Sequence, residues 1–198
     1  MPDNFDIVVV TSVKRKPLIT NYLDGLGAII SVTPDYGFDK HFTPEVGGLV
    51  QNHRGAYRCF RGHQDAIAKS TKDFILVFED DAVPNRNDWL NVVNDSVELL
   101  KTFEMVSFHG REITLEVFDQ FLHINTNYIK PKNRGSEWVV AALAYLIPRR
   151  VVDKLMKYKY NGMPWDLLLY REFNYCLMEV SMFNHDRSEG SLIDKPSI

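Results

Sequence analysis

The chain has 198 residues, 45% of them hydrophobic and 25% charged, with a net charge of −3 at pH 7. That composition fits one globular domain with a full core, read here as 1–198, and it excludes a broad basic surface for nucleic acid. Two cysteines, Cys59 and Cys176, are too few for a disulfide framework, and no CxxC zinc pattern or long apolar run occurs. The expectation is a soluble cytoplasmic protein with free thiols.

In chain order, Phe5–Thr11 is a β-branched apolar run that predicts a buried parallel strand ending at Thr11 and Ser12. The basic loop Ser12–Lys16 follows, and Pro17 opens a helix through Leu18, Tyr22 and Leu23 that stops at Gly25 and Gly27. Lys14 and Arg15 sit where nucleotide phosphates are often held, although a solvated loop has the same composition. Neither GxGxxG nor GxxxxGK[ST] is present, which argues against a dinucleotide fold and a P-loop. Ala28–Thr33 predicts a second strand. Asp35, in the turn after it, is placed to read a base or ribose, and residues 34 to 53 form a long loop.

Residues 55 to 70 read as a helix with Ala56, Cys59, Phe60, His63 and Ile67 on one stripe. Core packing is the preferred reading of Cys59 and His63, whereas Arg61 lies off the stripe and can reach a phosphate. The continuous run Phe74–Phe78 predicts a strand buried on both faces, and it ends in Glu79, Asp80 and Asp81. Three acids at a strand end repel one another, and clustered hard oxygen ligands suit Mg²⁺ or Mn²⁺. Ligands of open α/β sheets bind at the carboxyl ends of strands. The segment therefore predicts a divalent-metal site that holds nucleotide phosphates. An acidic turn after a core strand is the alternative.

Pro84 is expected to stop the strand, and Asn85 to cap an amphipathic helix over 86–102. Glu104–His109 is a further strand with His109 at its tip, and 112–134 contains a hairpin or antiparallel edge. Trp138–Ile147 is a buried strand preceded by the loop Arg134–Ser136. Pro148 opens one helix and Pro164 another, which carries Asp166 near its positive end. Leu177–Phe183 reads as the last strand, with His185 just beyond it, and the aperiodic tail 188–198 reads as a lid. The alternation predicts an α/β fold with a mostly parallel central sheet, more mixed in its second half.

Two stretches carry a family resemblance. Gly55–His63 and then Leu76–Pro84, with its Phe78-Glu79-Asp80-Asp81 core, resemble the family 25 glycosyltransferases, the lipooligosaccharide and collagen galactosyltransferase type. Ala142–Pro148 and Pro164-Trp165-Asp166 follow in the family's order. Gly62-His63 departs from the family's Ser-His, so no role attaches to that missing hydroxyl. The opening Ile7–Leu18 and the compact length also resemble N-terminal glycosyltransferase domains of chlorella-virus capsid-glycan proteins.

The resemblance implies a GT-A fold, Rossmann-like, with a nucleotide-sugar half at 1–110 and an acceptor half at 111–198. Glu79-Asp80-Asp81 becomes the DxD-like motif, with Asp81 as first metal ligand, Asp80 second and His185 third, and with Glu79 either a ligand or an orienting group. Asp166 is the implied base, with His109 as the alternative. Thr11 and Ser12 meet the nucleoside, while Lys14, Arg15 and Arg61 meet the phosphates. The implied partners are a nucleotide-sugar donor, by analogy a UDP-sugar, and a glycan or glycoprotein acceptor. A sugar-nucleotide nucleotidyltransferase and a non-catalytic carbohydrate-binding domain are the rival readings.

Overall fold

A computed structural model of the chain describes residues 4–12, 21–34, 53–109, 120–133 and 142–186. Lys14, Arg15, Asp35, the loop 134–136 and the tail 188–198 lie outside the described residues.

Among the described residues, eight strands form one continuous sheet. In chain order the elements are β1 (Phe5–Ser12), β2 (Ile29–Thr33), α1 (His53–Ala68), β3 (Phe74–Glu79), β4 (Ala82–Pro84), α2 (Trp89–Ser96), β5 (Met105–Ser107), β6 (Phe121–His123), β7 (Tyr128–Pro131), β8 (Ala144–Pro148), α3 (Val152–Lys157), α4 (Trp165–Glu172), β9 (Tyr175–Met178) and β10 (Phe183–His185). The sheet order is β2-β1-β3-β8-β5-β9-β7-β6, and β4 with β10 makes a separate two-stranded ribbon. β1 pairs in parallel with β2 and β3, and β5 with β9. β8 lies between β3 and β5 and runs against both. The sheet is thus mixed, and β1, β3 and β5 all point the same way.

The strand residues alternate between two cores, as a period of two requires. Val8, Val10, Ile75, Val77, Tyr145 and Ile147 face the side covered by α1, α3 and α4. Ile7, Val9, Leu76, Phe78, Leu146 and Val106 face α2 and the ribbon, against Trp89, Val93, Leu100 and Phe183. This double burial explains why β3 reads as an unbroken apolar run. On α1 the expected stripe is the buried one: Phe60, His63 and Ile67 are all enclosed. The stripe continues through Gly62, where an added Cβ would lie 2.4 Å from Thr33 Oγ1 and 3.3 Å from Val10 Cγ1. The helix presses so closely on β1 and β2 there that a serine in the family's position would not fit without movement.

Several boundaries differ from the sequence expectation. The described part of the helix expected after Pro17 is a 3₁₀ turn at Asn21–Leu23, and Pro17 itself lies outside the described residues. Pro84 does not simply end a strand, because Ala82–Pro84 pairs antiparallel with Phe183–His185. Asn85 does not cap a helix. Its amide donates to Ser181 O and its backbone N–H to Met182 O, and α2 begins only at Trp89. That helix gives way to a 3₁₀ turn at Val97–Lys101 instead of running to 102. The expected strand Leu177–Phe183 divides into β9 and β10, bent at Val180, which is 75% exposed. The expected hairpin is present as β6–β7, at the sheet edge. No described helix is long and apolar enough to cross a membrane.

Candidate active site at the carboxyl ends of the parallel strands

The carboxyl ends of β1, β3 and β5 lie along one edge of the sheet and deliver Thr11–Ser12, Glu79–Asp81 and His109. The Thr11 hydroxyl donates to Asp80 Oδ2 at 2.7 Å, which ties the second acid to the tip of β1. Among the described residues the buried Ser12 Oγ has no hydrogen-bond partner. Thr11 and Ser12, assigned to the nucleoside from sequence, therefore flank the acids directly.

The ribbon supplies the next group. Ala82 lies opposite His185, and the Asp186 N–H donates to Asp81 O at 2.7 Å. This pairing carries His185 Nδ1 to 3.5 Å from Asp81 Oδ2, across 104 residues of sequence. His109 meets His185 edge to face, with ring centroids 5.1 Å apart. The His109 Nδ1–H donates to Phe183 O at 2.8 Å, because a carbonyl can only accept. Burial, reinforced by the charge of His185, pulls the His109 pKa below its ordinary value, against the pull of that carbonyl. The ring is therefore neutral at pH 7, with its proton on Nδ1.

Asp166 stands in the first turn of α4, with Oδ1 accepting the Leu167 N–H at 2.9 Å. Burial pushes its carboxyl above the usual range. The negative charge of Glu79 adds to this, and the Leu167 N–H opposes it. Arg61, assigned to phosphate from sequence, pairs along its own helix with Asp65 at 3.6 Å and Gln64 at 3.4 Å.

Glu79 differs from its two neighbours. Its Oε1 lies 3.3 Å from Nε2 of the fully buried His63. His63 is a core histidine, as expected, but its partner is a site residue. The ring stacks on Trp165 at 5.2 Å and on Tyr145 at 5.9 Å. His63 Nδ1 and Tyr145 Oη are 2.9 Å apart, and Trp165 Nε1–H donates to the same Tyr145 oxygen at 3.0 Å. Indole only donates and an ionised carboxylate only accepts, so the chain reads Trp165 to Tyr145 to His63 to Glu79, with the imidazole proton on Nε2. Sequence reasoning missed Tyr145 and Trp165. The available signals were a lone hydroxyl in an otherwise aliphatic strand and an indole next to Asp166.

Two arrangements could hold a cation. Asp81 and His185 are close enough to share an ion whose remaining positions go to other oxygens. Asp80 adjoins them, and carboxylate oxygen and imidazole nitrogen donors suit Mn²⁺ or Mg²⁺ with a nucleotide. Glu79 does not join that pair in a three-donor cluster. Among the described residues such a cluster forms from Cys59, His63 and Glu79, whose donor atoms all lie within 4.8 Å of one another.

No protein-family model matches the chain, and no curated protein matches it. Among solved structures it is similar to a glycosyltransferase involved in the glycosylation of the major capsid of PBCV-1. The identity is 11%, over 92% of this chain and 93% of that one, with a TM-score of 0.51. It is also similar to A197 from STIV, at 11% identity over 90% of this chain and 83% of that one, with a TM-score of 0.45. The likeness to the first of these bears out the α/β fold expected from the sequence; the family 25 resemblance rests on the motifs alone.

Proposed function

We propose that the chain is a metal-dependent glycosyltransferase that moves a sugar from a nucleoside diphosphate, by analogy a uridine one, to a hydroxyl of a glycan. The observation that carries the reading is the meeting of Asp81 and His185 at 3.5 Å beside Asp80, at the carboxyl ends of parallel strands. Carboxylates gathered at such an edge suit a cation-bound diphosphate. The Ser12 hydroxyl, without a hydrogen-bond partner among the described residues, offers the nucleoside one.

In this reading Asp81 and His185 hold the cation, with Asp80 fixed by Thr11 as the adjacent acid. A divalent ion there supplies positive charge to the departing diphosphate. Asp166 accepts the proton of the attacking hydroxyl. A carboxyl raised above its ordinary range is a stronger base than an exposed one, which suits it to that step. His109 Nε2, bare because the proton sits on Nδ1, is the second acceptor in reach of the same edge.

The test is thermal stability with UDP, GDP and CDP, each with and without Mn²⁺, on the wild type and Asp81→Ala. A ligand that binds the native state alone must raise the midpoint. A metal-dependent rise with one nucleotide, lost in Asp81→Ala, is expected. Absence of any shift in the folded protein would overturn the transferase reading and favour a glycan-binding domain.

A further inference from the structure

We propose that Cys59, His63 and Glu79 form a binding site for a thiophilic transition-metal dication of the zinc type. This site is separate from the Asp81–His185 pair, and it stands whether or not the chain transfers sugars.

The geometry carries the proposal. Cys59 and His63 are one turn apart on α1, the i, i+4 spacing that places two side chains on the same face and that helical zinc ligands use. Glu79 reaches them from the end of β3, so the donors come from two rigid elements. The contact between His63 Nε2 and Glu79 Oε1, at 3.3 Å, is long for a hydrogen bond to a carboxylate, which closes to about 2.7–2.9 Å. Two ligands at 2.0–2.1 Å from a common tetrahedral ion stand about 3.3 Å apart. The pair is thus spaced as an ion would space it. The thiol lies within 4.8 Å of both partners, near enough to join them on one ion.

The surroundings fit the same ion. Cys59 sits in the field of Glu79, Asp166 and Asp81, an excess of negative charge that a dication offsets. Asp166 acts electrostatically on Glu79 and His63 as well, adding its carboxylate to that negative charge. His63 Nδ1 has Tyr145 Oη at 2.9 Å to receive its proton once Nε2 bonds the metal, and the stack with Trp165 fixes the ring plane. The donor set of thiolate, imidazole and carboxylate selects zinc-type ions over Mg²⁺ or Ca²⁺. Proton balance is simple: the imidazole stays neutral by moving its proton from Nε2 to Nδ1, and the thiol releases one proton to solvent for each ion bound.

The test titrates Co²⁺ and then Zn²⁺ into the metal-stripped full chain. One Co²⁺ per chain should bind with the near-ultraviolet charge-transfer band of a thiolate–cobalt bond and the intense visible bands of a tetrahedral ion, and one Zn²⁺ should bleach both. Cys59→Ala should remove the charge-transfer band and weaken Zn²⁺ binding at least about tenfold. Cys176→Ala and Asp81→Ala should leave it in place. Mass-spectrometric mapping of thiol alkylation on the wild type gives a second readout that needs no variant: one equivalent of Zn²⁺ should protect Cys59, and Mn²⁺ should not. No charge-transfer band at saturating Co²⁺, a band that survives Cys59→Ala, or equal alkylation of Cys59 with and without Zn²⁺ would each overturn the proposal.

Discussion

Removing the Tyr145 hydroxyl tests the polar chain that joins α1, β8 and α4 to the acidic strand end. Tyr145 is 1% exposed, so Tyr145→Phe leaves ring packing intact and deletes one oxygen. That oxygen accepts from Trp165 Nε1 at 3.0 Å and bonds His63 Nδ1 at 2.9 Å. Both partners are buried and would be left unmatched. An unsatisfied buried polar group costs about 1–3 kcal/mol, so stranding two should cost the variant about 2–6 kcal/mol. For a chain of this size, 3 kcal/mol lowers the thermal midpoint by about 6–12 °C. Tyr170→Phe provides the internal comparison. Ser107 donates to His109 O at 2.9 Å, so the Tyr170 hydroxyl is the donor of its 2.9 Å bond to Ser107. Deleting it strands no donor on the serine, and the loss should be about 1 kcal/mol. Urea unfolding of both variants, read at constant denaturant slope, gives the two numbers. If Tyr145→Phe cost no more than Tyr170→Phe, the chain would not be a connected unit and the assignment of the His63 proton to Nε2 would fall with it.

Gly62→Ala should destabilise by about 1 kcal/mol, because overpacking at about 1–3 kcal/mol exceeds the gain of about 1 kcal/mol in helix propensity. The close atom is Thr33 Oγ1 at 2.4 Å, so Thr33→Ala in the same chain should restore the loss, and a stabilised single variant would contradict the packing argument. Asp166→Asn should be more stable than the wild type at pH 7 and, on the proposed role, slower in transfer by about 10²–10⁴-fold. The sign follows from linkage: a carboxyl raised in the folded state holds more protons there than in the unfolded state, so stability falls as pH rises from its ordinary value to the folded one. The difference between variant and wild type should therefore vanish below about pH 4 and grow as pH rises through the raised folded value; an equal difference at pH 4 and at pH 7 would refute it.

The parts of the fold legible in sequence were those governed by local pattern. Phe74–Phe78 and Ile7–Val10 are continuous because both faces of the central strands are buried, whereas the 121–131 hairpin, at the sheet edge, is only partly buried. The run Leu177–Phe183 misled because Val180 is apolar yet exposed at a bend, with Glu179 and Ser181 the polar signs on either side of it. Strand direction had no local signature: nothing in Ala144–Ile147 says that it runs against β3 and β5. At the site, Asp81 and His185 were paired in advance only through resemblance, and the structure does bring them together. The partnership of His63 with Glu79 was not legible, because a helix residue and a strand-end residue meet only through the packing of α1 on the sheet.

That packing also fixes where Asp166 stands. The reversed strand β8 places Tyr145 beside Val77 on one side and Ser107 on the other, in one row across the sheet. Two hydroxyls of this row, Tyr145 and Ser107, bond Trp165 and Tyr170 of α4. Apolar contacts alone would let a short helix slide or rotate with little penalty, since hydrophobic burial is non-directional. Hydrogen bonds at two points along the helix remove that freedom, because any shift would strand buried polar atoms at one or both of them. Asp166 lies between the two anchors. Its position relative to Glu79 is thus set by polar registration across β8, and the electrostatic coupling between these two carboxyls is a property of the sheet topology more than of the loop that joins them to it.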